Sequence, residues 1–89
     1  MNYLLPGQEP LTRMQLLIDL TKMSSQPQIQ ALIQHYVNGL PAERAAARHG
    51  IELSNFVRAQ IRIEAVASIV EQIKEIDWQK LNANIKRAS

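Results

Sequence analysis

The chain has 89 residues, a formal net charge of +2 and no cysteine. That length predicts one small domain, residues 1–89, and the missing thiols exclude disulfide bonds and thiolate metal sites. Hydrophobic residues make up 46% of the chain but aromatic residues only 4%, so the core must come mainly from Leu, Ile, Val, Ala and Met, which favours helices. We therefore predict an all-α fold, a small bundle of four to five helices.

The first predicted helix covers residues 10–22 and belongs to an N-terminal helical pair at residues 10–38. Pro10 suits the first turn of a helix, and the apolar residues after it recur at three- and four-residue spacing. Leu16 and Leu20 widen this apolar stripe beyond what one core needs. They predict a second contact surface.

The second predicted helix covers residues 26–38. Ser24 and Ser25 are favourable N-caps, and Asn38-Gly39 is a strong signal for a helix end. His35 lies within this helix. Since no cysteine or acidic cluster lies near it in sequence, we expect a solvated surface histidine and not a metal ligand.

Residues 39–72 are predicted to form a helix-turn-helix with an extended second helix. Pro41 starts a short alanine-rich helix, and the next helix begins near Ser54. The two helices of such a unit cross steeply, so the first helix needs a small residue and the turn favours glycine four residues later. Ala46 and Gly50 meet both requirements.

The last segment, residues 73–89, is predicted to be a separate helix or a tail. A continuous helix would place the charged Asp77 in the middle of the apolar face, which indicates a break between residues 72 and 77. Asp77 would then cap a new helix, and Trp78 would anchor it onto the bundle. Residues 82–89 would fray.

The arginines of the helix-turn-helix are candidate DNA contacts. Residues 1–40 carry no net charge, whereas residues 41–64 contain four arginines in two pairs, each pair one helical turn apart. Guanidinium groups suit phosphate contacts and insertion into a narrow groove, and backbone N–H groups at a helix start also bind phosphate. The predicted DNA-binding residues are Arg44, Arg48, Ser54, Asn55, Val57, Arg58 and Arg62.

The groove-facing side of the second motif helix is less polar than a typical base-reading helix, because Leu53, Val57 and Ile61 lie on it. This predicts recognition of DNA shape and backbone more than of base edges. The surplus apolar residues predict a homodimer or a higher homo-oligomer. The predicted oligomer interface consists of Leu16, Leu20, Ile61 and Ile69.

An enzyme is not expected. No serine has a histidine and an acid at a recognisable spacing, and the chain has no glycine-rich phosphate loop. The longest apolar run, at residues 16–18, is too short to cross a bilayer, and the start of the chain lacks the features of a signal peptide. We expect a cytoplasmic protein with no cofactor, no metal site, no small-molecule substrate and no membrane partner.

Several short segments follow one another at a recognisable spacing: Leu4-Leu5-Pro6-Gly7, Leu16-Leu17-Ile18, Tyr36-Val37-Asn38-Gly39 and the turn at residues 50–56. Together they resemble the PapB-type regulators of fimbrial (adhesin) operons. Residues 39–63 are also similar to the helix-turn-helix of TrfB-type plasmid repressors. The resemblance implies a bacterial cytoplasmic transcription regulator that binds A/T-rich DNA near a fimbrial promoter as an oligomer.

Two alternatives stay open at this point. The arginines can equally keep an exposed face soluble or pair with Glu52 and Glu64, as surface ion pairs commonly do. The chain would then be a helical module for protein–protein interaction or oligomerisation without direct DNA binding. The other alternative is an RNA-binding antiterminator, which the basic residues permit but no aromatic platform supports.

Overall fold

The computed structural model describes residues 3–88 and the surroundings of the side chains as far as residue 84. It contains four helices: α1 spans Leu11–Thr21, α2 Gln26–Tyr36, α3 Ala42–Arg48 and α4 Leu53–Ala88. No strand occurs in residues 3–88. The prediction of an all-α fold, a small helical bundle, is confirmed.

Helices α1, α2 and α3 pack around the N-terminal half of α4. Three buried alanines, Ala31 of α2 with Ala45 and Ala46 of α3, let the short α3 approach its neighbours closely. Each large side chain in the core contributes about 1.5–3 kcal/mol through its removal from water. The largest fully buried side chains are Phe56, Leu4, Met14, Leu32 and Ile63.

The end of α1 is shaped by Thr21. Its hydroxyl donates to the Ile18 carbonyl at 2.6 Å and accepts the backbone N–H of Met23 at 3.1 Å. Lys22 follows in the left-handed conformation, with a φ of 58°, which ends the helix. The short loop to α2 is therefore held to the last turn of α1.

Residues 3–10 form an irregular segment that packs against α2 and α4. Leu4 is only 1% exposed and belongs to the core. The Glu64 carboxylate of α4 accepts the backbone N–H of Tyr3 at 2.7 Å and that of Leu4 at 3.3 Å. These hydrogen bonds attach the start of the described chain to the middle of the bundle.

Backbone hydrogen bonds also attach the segment of residues 3–10 to the end of α2. The N–H groups of Gly7 and Gly39 both donate to the His35 carbonyl, at 3.1 and 3.2 Å. Both glycines have positive φ, 75° and 80°, and a Cβ on Gly7 would lie 3.0 Å from the Cα of Gly39. The backbones at Gly7 and Gly39 are in close contact, so a side chain on Gly7 cannot be accommodated without a shift of the backbone.

The side chain of His35 is buried at 9% exposure, so the predicted surface position is wrong. Its Nδ1 lies 2.8 Å from the Leu40 carbonyl oxygen, and because a carbonyl only accepts, Nδ1 carries the proton. The ring meets Tyr36 and Phe56 edge to face, with centroids 4.8 and 5.6 Å apart. A main-chain carbonyl partner leaves no signal in the sequence, which is why this burial was missed.

Helix α4 is one continuous helix of 36 residues, so the predicted break between residues 72 and 77 is wrong. The bundle ends near residue 71, and every residue from 72 to 81 is exposed. Asp77 therefore interrupts no core, and nothing forces the helix to end there.

Two further predictions for this segment are also wrong. Trp78 is 58% exposed and does not anchor the segment onto the bundle. Residues 82–88 are helical where fraying was predicted, and Ser89 lies outside the described residues. The prediction for Trp78 assumed a second core contact that the single chain does not form.

An ion-pair network joins α1 to α4 at the end of the bundle. Arg13 donates to Glu9 at 2.7 Å and to Glu71 at 3.0 Å, and Lys74 also lies 3.1 Å from Glu71. The hydrogen bond from Lys74 lowers the pKa of the Glu71 carboxyl, with the Arg13 charge acting in the same direction.

Gly7→Ala is expected to lower the free energy of unfolding by about 2 kcal/mol or more, because a left-handed backbone penalty adds to a backbone collision. Gly50→Ala is the matched control, since Gly50 also has a positive φ of 67° but nothing within 4 Å of an added Cβ. We expect it to lose only about 1 kcal/mol. Urea unfolding followed by circular dichroism gives both values, and equal losses would contradict the close contact.

Alkaline pH is expected to destabilise the fold through Tyr36. Burial raises the pKa of its hydroxyl from 10.0 to about 12, because a desolvated phenolate is unfavourable. The folded chain then keeps a proton that the unfolded chain loses, so this stability is complete below pH 10 and falls as the pH rises towards 12. The expected loss is about 2–3 kcal/mol, at about 1.4 kcal/mol per pKa unit.

Tyr36→Phe is the control for this titration, because it removes the hydroxyl while leaving the other ionisable groups in place. The measurement is the difference in unfolding free energy between the two chains from about pH 9 to pH 12. A difference that stays constant over this range would refute the prediction.

Candidate nucleic-acid interface

A tight turn joins α3 to α4. The N–H of Gly50 donates to the Ala47 carbonyl at 3.2 Å, and that of Ile51 to the Ala46 carbonyl at 3.0 Å. This is the hydrogen-bond pattern of a Schellman motif, in which a left-handed residue ends the helix. Gly50 supplies that residue, so the short helix, the glycine turn and the long helix occur in the predicted order.

Helix α3 presents its two arginines to solvent. Ala45 and Ala46 are 0% and 2% exposed and face the bundle, whereas Arg44 and Arg48 are exposed one turn apart. Within residues 3–84, neither arginine pairs with a carboxylate. Their charges are therefore available to an external anion.

A cleft of about 230 Å³ lies beside the first turns of α4, next to the loop that follows α1. It brings together Asn55, Arg58 and Arg62, three of the predicted DNA-binding residues. Met23 and Gln28 also line it, and sequence reasoning identified neither of them. No carboxylate of the described residues lines the cleft. Two guanidinium groups at its border make it suited to an anion such as a phosphate.

Arg62 has a structural partner that sequence reasoning missed. Its guanidinium donates to the main-chain carbonyl of Thr21, the last residue of α1. The carbonyls at a helix C-terminus carry partial negative charge, so a cation is favourable there. Arg62 thus fixes the end of α1 against α4 and also borders the cleft. Arg58, one turn earlier, is exposed and forms no ion pair within residues 3–84.

Val57 lies away from the arginine cleft. It is 41% exposed and lines a larger cleft, of about 560 Å³, together with Tyr3 and Glu64. Ser54 is exposed in the first turn of α4 and borders neither cleft. The predicted DNA contacts therefore occupy three places: α3, the arginine cleft and the outer side of α4.

The two glutamates considered as alternative partners for the arginines do not pair with them within residues 3–84. Glu64 accepts the N–H groups of Tyr3 and Leu4 instead, and Glu52 is exposed without an ion pair in that part of the chain. The Glu64 carboxylate therefore holds the N-terminal segment against α4.

The four residues of the predicted oligomer interface are all exposed on the single chain. Leu16 and Leu20 also border an apolar groove of about 430 Å³ that includes Leu17 of α1 and Val70 of α4. Contiguous exposed apolar side chains are typical of contact surfaces. Their exposed fractions are 61% for Leu16, 60% for Leu20, 65% for Ile61 and 56% for Ile69.

No family model matches the chain, and no curated protein and no solved structure shows significant similarity to it. Among the described residues, no three His, Cys, Asp or Glu side chains are grouped so that they could hold a metal ion. Within the same part of the chain, no helix combines the length and the apolar composition needed to cross a membrane.

Arg62→Ala is expected to lower the free energy of unfolding by about 1 kcal/mol, because it leaves the Thr21 carbonyl without its charged donor. Arg58→Ala, one turn away on the same helix, is the matched control and should change stability by less than about 0.5 kcal/mol. Urea unfolding at neutral pH measures both. Equal effects of the two substitutions would argue against a structural role for Arg62.

Proposed function

We propose that the chain is a DNA-binding transcription regulator that contacts duplex DNA with α3 and the start of α4. The observation that carries this proposal is the cleft in which Arg58 and Arg62 meet Asn55 with no carboxylate of the described residues between them. Arg44 and Arg48 add exposed positive charge on α3. Arginines placed in this way suit successive phosphates of one duplex.

Recognition of DNA shape and backbone fits this surface better than dense readout of base edges. Leu53, Val57 and Ile61 are 43%, 41% and 65% exposed along α4, and apolar side chains can contact thymine methyl groups but donate no hydrogen bonds. Arginine is also favoured in the narrow, strongly negative minor groove of A-tracts. We therefore propose A/T-rich duplex DNA as the partner, with Ser54 and Asn55 next to sugars or base edges.

The biological setting rests on the resemblance to PapB-type regulators. It supports a cytoplasmic bacterial regulator of a fimbrial (adhesin) operon that acts as a homodimer or a higher homo-oligomer. The exposed leucines of α1 and isoleucines of α4 support association of copies. The proposal includes no enzymatic activity and no cofactor.

The second candidate is a helical interaction module without direct DNA binding. Six large aliphatic side chains of α1 and α4 are more than half exposed, which is typical of a surface that binds protein. DNA titration separates this candidate from the first, because only the first predicts a salt-dependent complex with duplex DNA. The six residues are Leu16, Leu20, Ile61, Ile69, Ile73 and Ile76.

Fluorescence anisotropy with a labelled A/T-rich duplex tests the proposed function. The logarithm of the affinity should fall linearly with the logarithm of the salt concentration between about 50 and 200 mM. Arg58→Ala should weaken binding and reduce the magnitude of this slope by about 0.9, the value for one lost phosphate contact. Thermal unfolding of the variant should be unchanged, because Arg58 makes no ion pair within residues 3–84.

Lys80→Ala is the matched control for charge. It removes one positive charge about 33 Å further along α4, so the affinity for DNA should stay the same. Equal affinity of Arg58→Ala and the parent chain would refute the role of Arg58. If the parent chain bound neither A/T-rich nor G/C-rich duplex at about 50 mM salt, the interaction module would be the correct function.

A further inference from the structure

The arginine cleft is formed by three parts of the bundle and not by α4 alone. Asn55, Arg58 and Arg62 belong to α4. Met23 lies in the loop after α1, and Gln28 is the third residue of α2. A water molecule occupies about 30 Å³ in the liquid, so the cleft of about 230 Å³ has room for a group several times that size.

Two side-chain amides in the cleft have free N–H donors. Gln28 and Asn55 are both half-buried, and neither side chain takes part in the hydrogen bonds among residues 3–84. By contrast, the Asn38 amide, outside the cleft, donates to Gln34 at 3.2 Å. A side-chain amide carries two N–H donors. In the cleft these donors are available to a ligand.

The Arg62 guanidinium is held in place at the border of the cleft. One of its N–H groups donates to the Thr21 carbonyl, and this contact also offsets the partial negative charge at the end of α1. A guanidinium has further donors in a fixed planar arrangement, so the others remain for a ligand. Because the side chain is restricted before a ligand arrives, less conformational entropy is lost on binding. Arg58 supplies a second guanidinium one helical turn earlier.

The starts of two helices also favour an anion in the cleft. Gln28 and Asn55 are the third residues of α2 and α4, so the first turns of both helices border it. The first turn of a helix carries partial positive charge and N–H groups without intrahelical partners. Among the described residues, no side chain forms a capping hydrogen bond at the start of α2. The helix starts and the guanidinium groups therefore act in the same direction.

We propose that the arginine cleft binds one phosphate group and that Gln28 is a direct contact to it. Arg58 and Arg62 supply the positive charge, while the amides of Gln28 and Asn55 donate hydrogen bonds to phosphate oxygens. Met23 forms an apolar wall beside them. The identification of this group with a backbone phosphate of duplex DNA rests on the proposed function, whereas the phosphate site itself does not.

Helix α2 thereby joins α3 and α4 in the DNA interface. An arginine on an open surface attracts a phosphate without fixing its position. Donors from two helices on one phosphate fix both its position and its orientation. The cleft then sets the register of the bundle on the DNA backbone and reads no base.

Nitrogen–proton correlation NMR of the whole chain with inorganic phosphate tests the site without DNA. Sodium chloride keeps the ionic strength constant, so that only the anion changes. The side-chain amide signals of Gln28 and Asn55 should shift and reach saturation at millimolar phosphate, whereas those of Gln30 and Asn38 should not move. Gln30 is exposed on α2, about 200° around the helix from Gln28, and Asn38 already donates to Gln34.

Arg58→Ala should weaken this phosphate binding about 10-fold or more, because it removes one of the two guanidinium groups. The inference is overturned if the Gln28 and Asn55 signals of the parent chain stay in place. It is also overturned if they move no more than the signals of Gln30 and Asn38, since phosphate would then act on the whole surface.

Gln28→Ala in the duplex titration tests whether the phosphate belongs to DNA. The variant should bind about 10-fold more weakly, because it loses a hydrogen bond to a charged group. The slope of log affinity against log salt should stay that of the parent, since glutamine is neutral and its loss changes no counterion release. The loss should be equal for A/T-rich and G/C-rich duplex, because phosphate contacts carry no sequence information. Gln30→Ala is the matched control and should bind like the parent.

The two measurements separate this inference from the proposed function. If the parent binds duplex but Gln28→Ala and Gln30→Ala have equal affinities, the contact by Gln28 is refuted and the DNA-binding function stands. If phosphate shifts the amides of Gln28 and Asn55 but the parent binds no duplex, the phosphate site stands. The cleft then serves a free phosphate-bearing ligand, and the proposed function is wrong.

Discussion

His35 is the point at which the separate parts of this fold are joined. Its carbonyl accepts N–H groups from Gly7 and Gly39, and its ring donates to Leu40 and meets Phe56 of α4. Buried polar groups must be paired, and here the carbonyl accepts two donors while Nδ1 has its acceptor. The N-terminal segment, the loop before α3 and the start of α4 therefore meet in one arrangement. That arrangement holds the loop that leads into α3 against the start of α4.

Local signals predicted the first three helices because each boundary depends on residues beside it. Pro10, Asn38-Gly39 and Gly50 mark helix ends through their own backbone preferences, whatever the rest of the chain does. The convergence of Arg58 and Arg62 also followed from their spacing on one helix. The spacing of residues in the sequence did not reveal that Arg62 contacts the Thr21 carbonyl, because Thr21 lies 41 residues away in sequence.

The predictions of a break at Asp77 and of an anchoring Trp78 failed for one shared reason. The predictions for Asp77 and Trp78 assumed that the rest of the same chain covers the whole apolar face of α4. Residues 72–81 of α4 are exposed instead. Asp77 therefore interrupts no core, and Trp78 does not anchor the helix onto the bundle.

The hydrogen bonds from Tyr3 and Leu4 to Glu64 span 61 and 60 positions of sequence. A ribosome adds about 5–20 residues per second, so the acceptor is made about 3–12 s after the donors. During that time Leu4 has no complete core to enter. Tyr3 and Leu4 are thus synthesised early but are among the last residues that can form their native contacts.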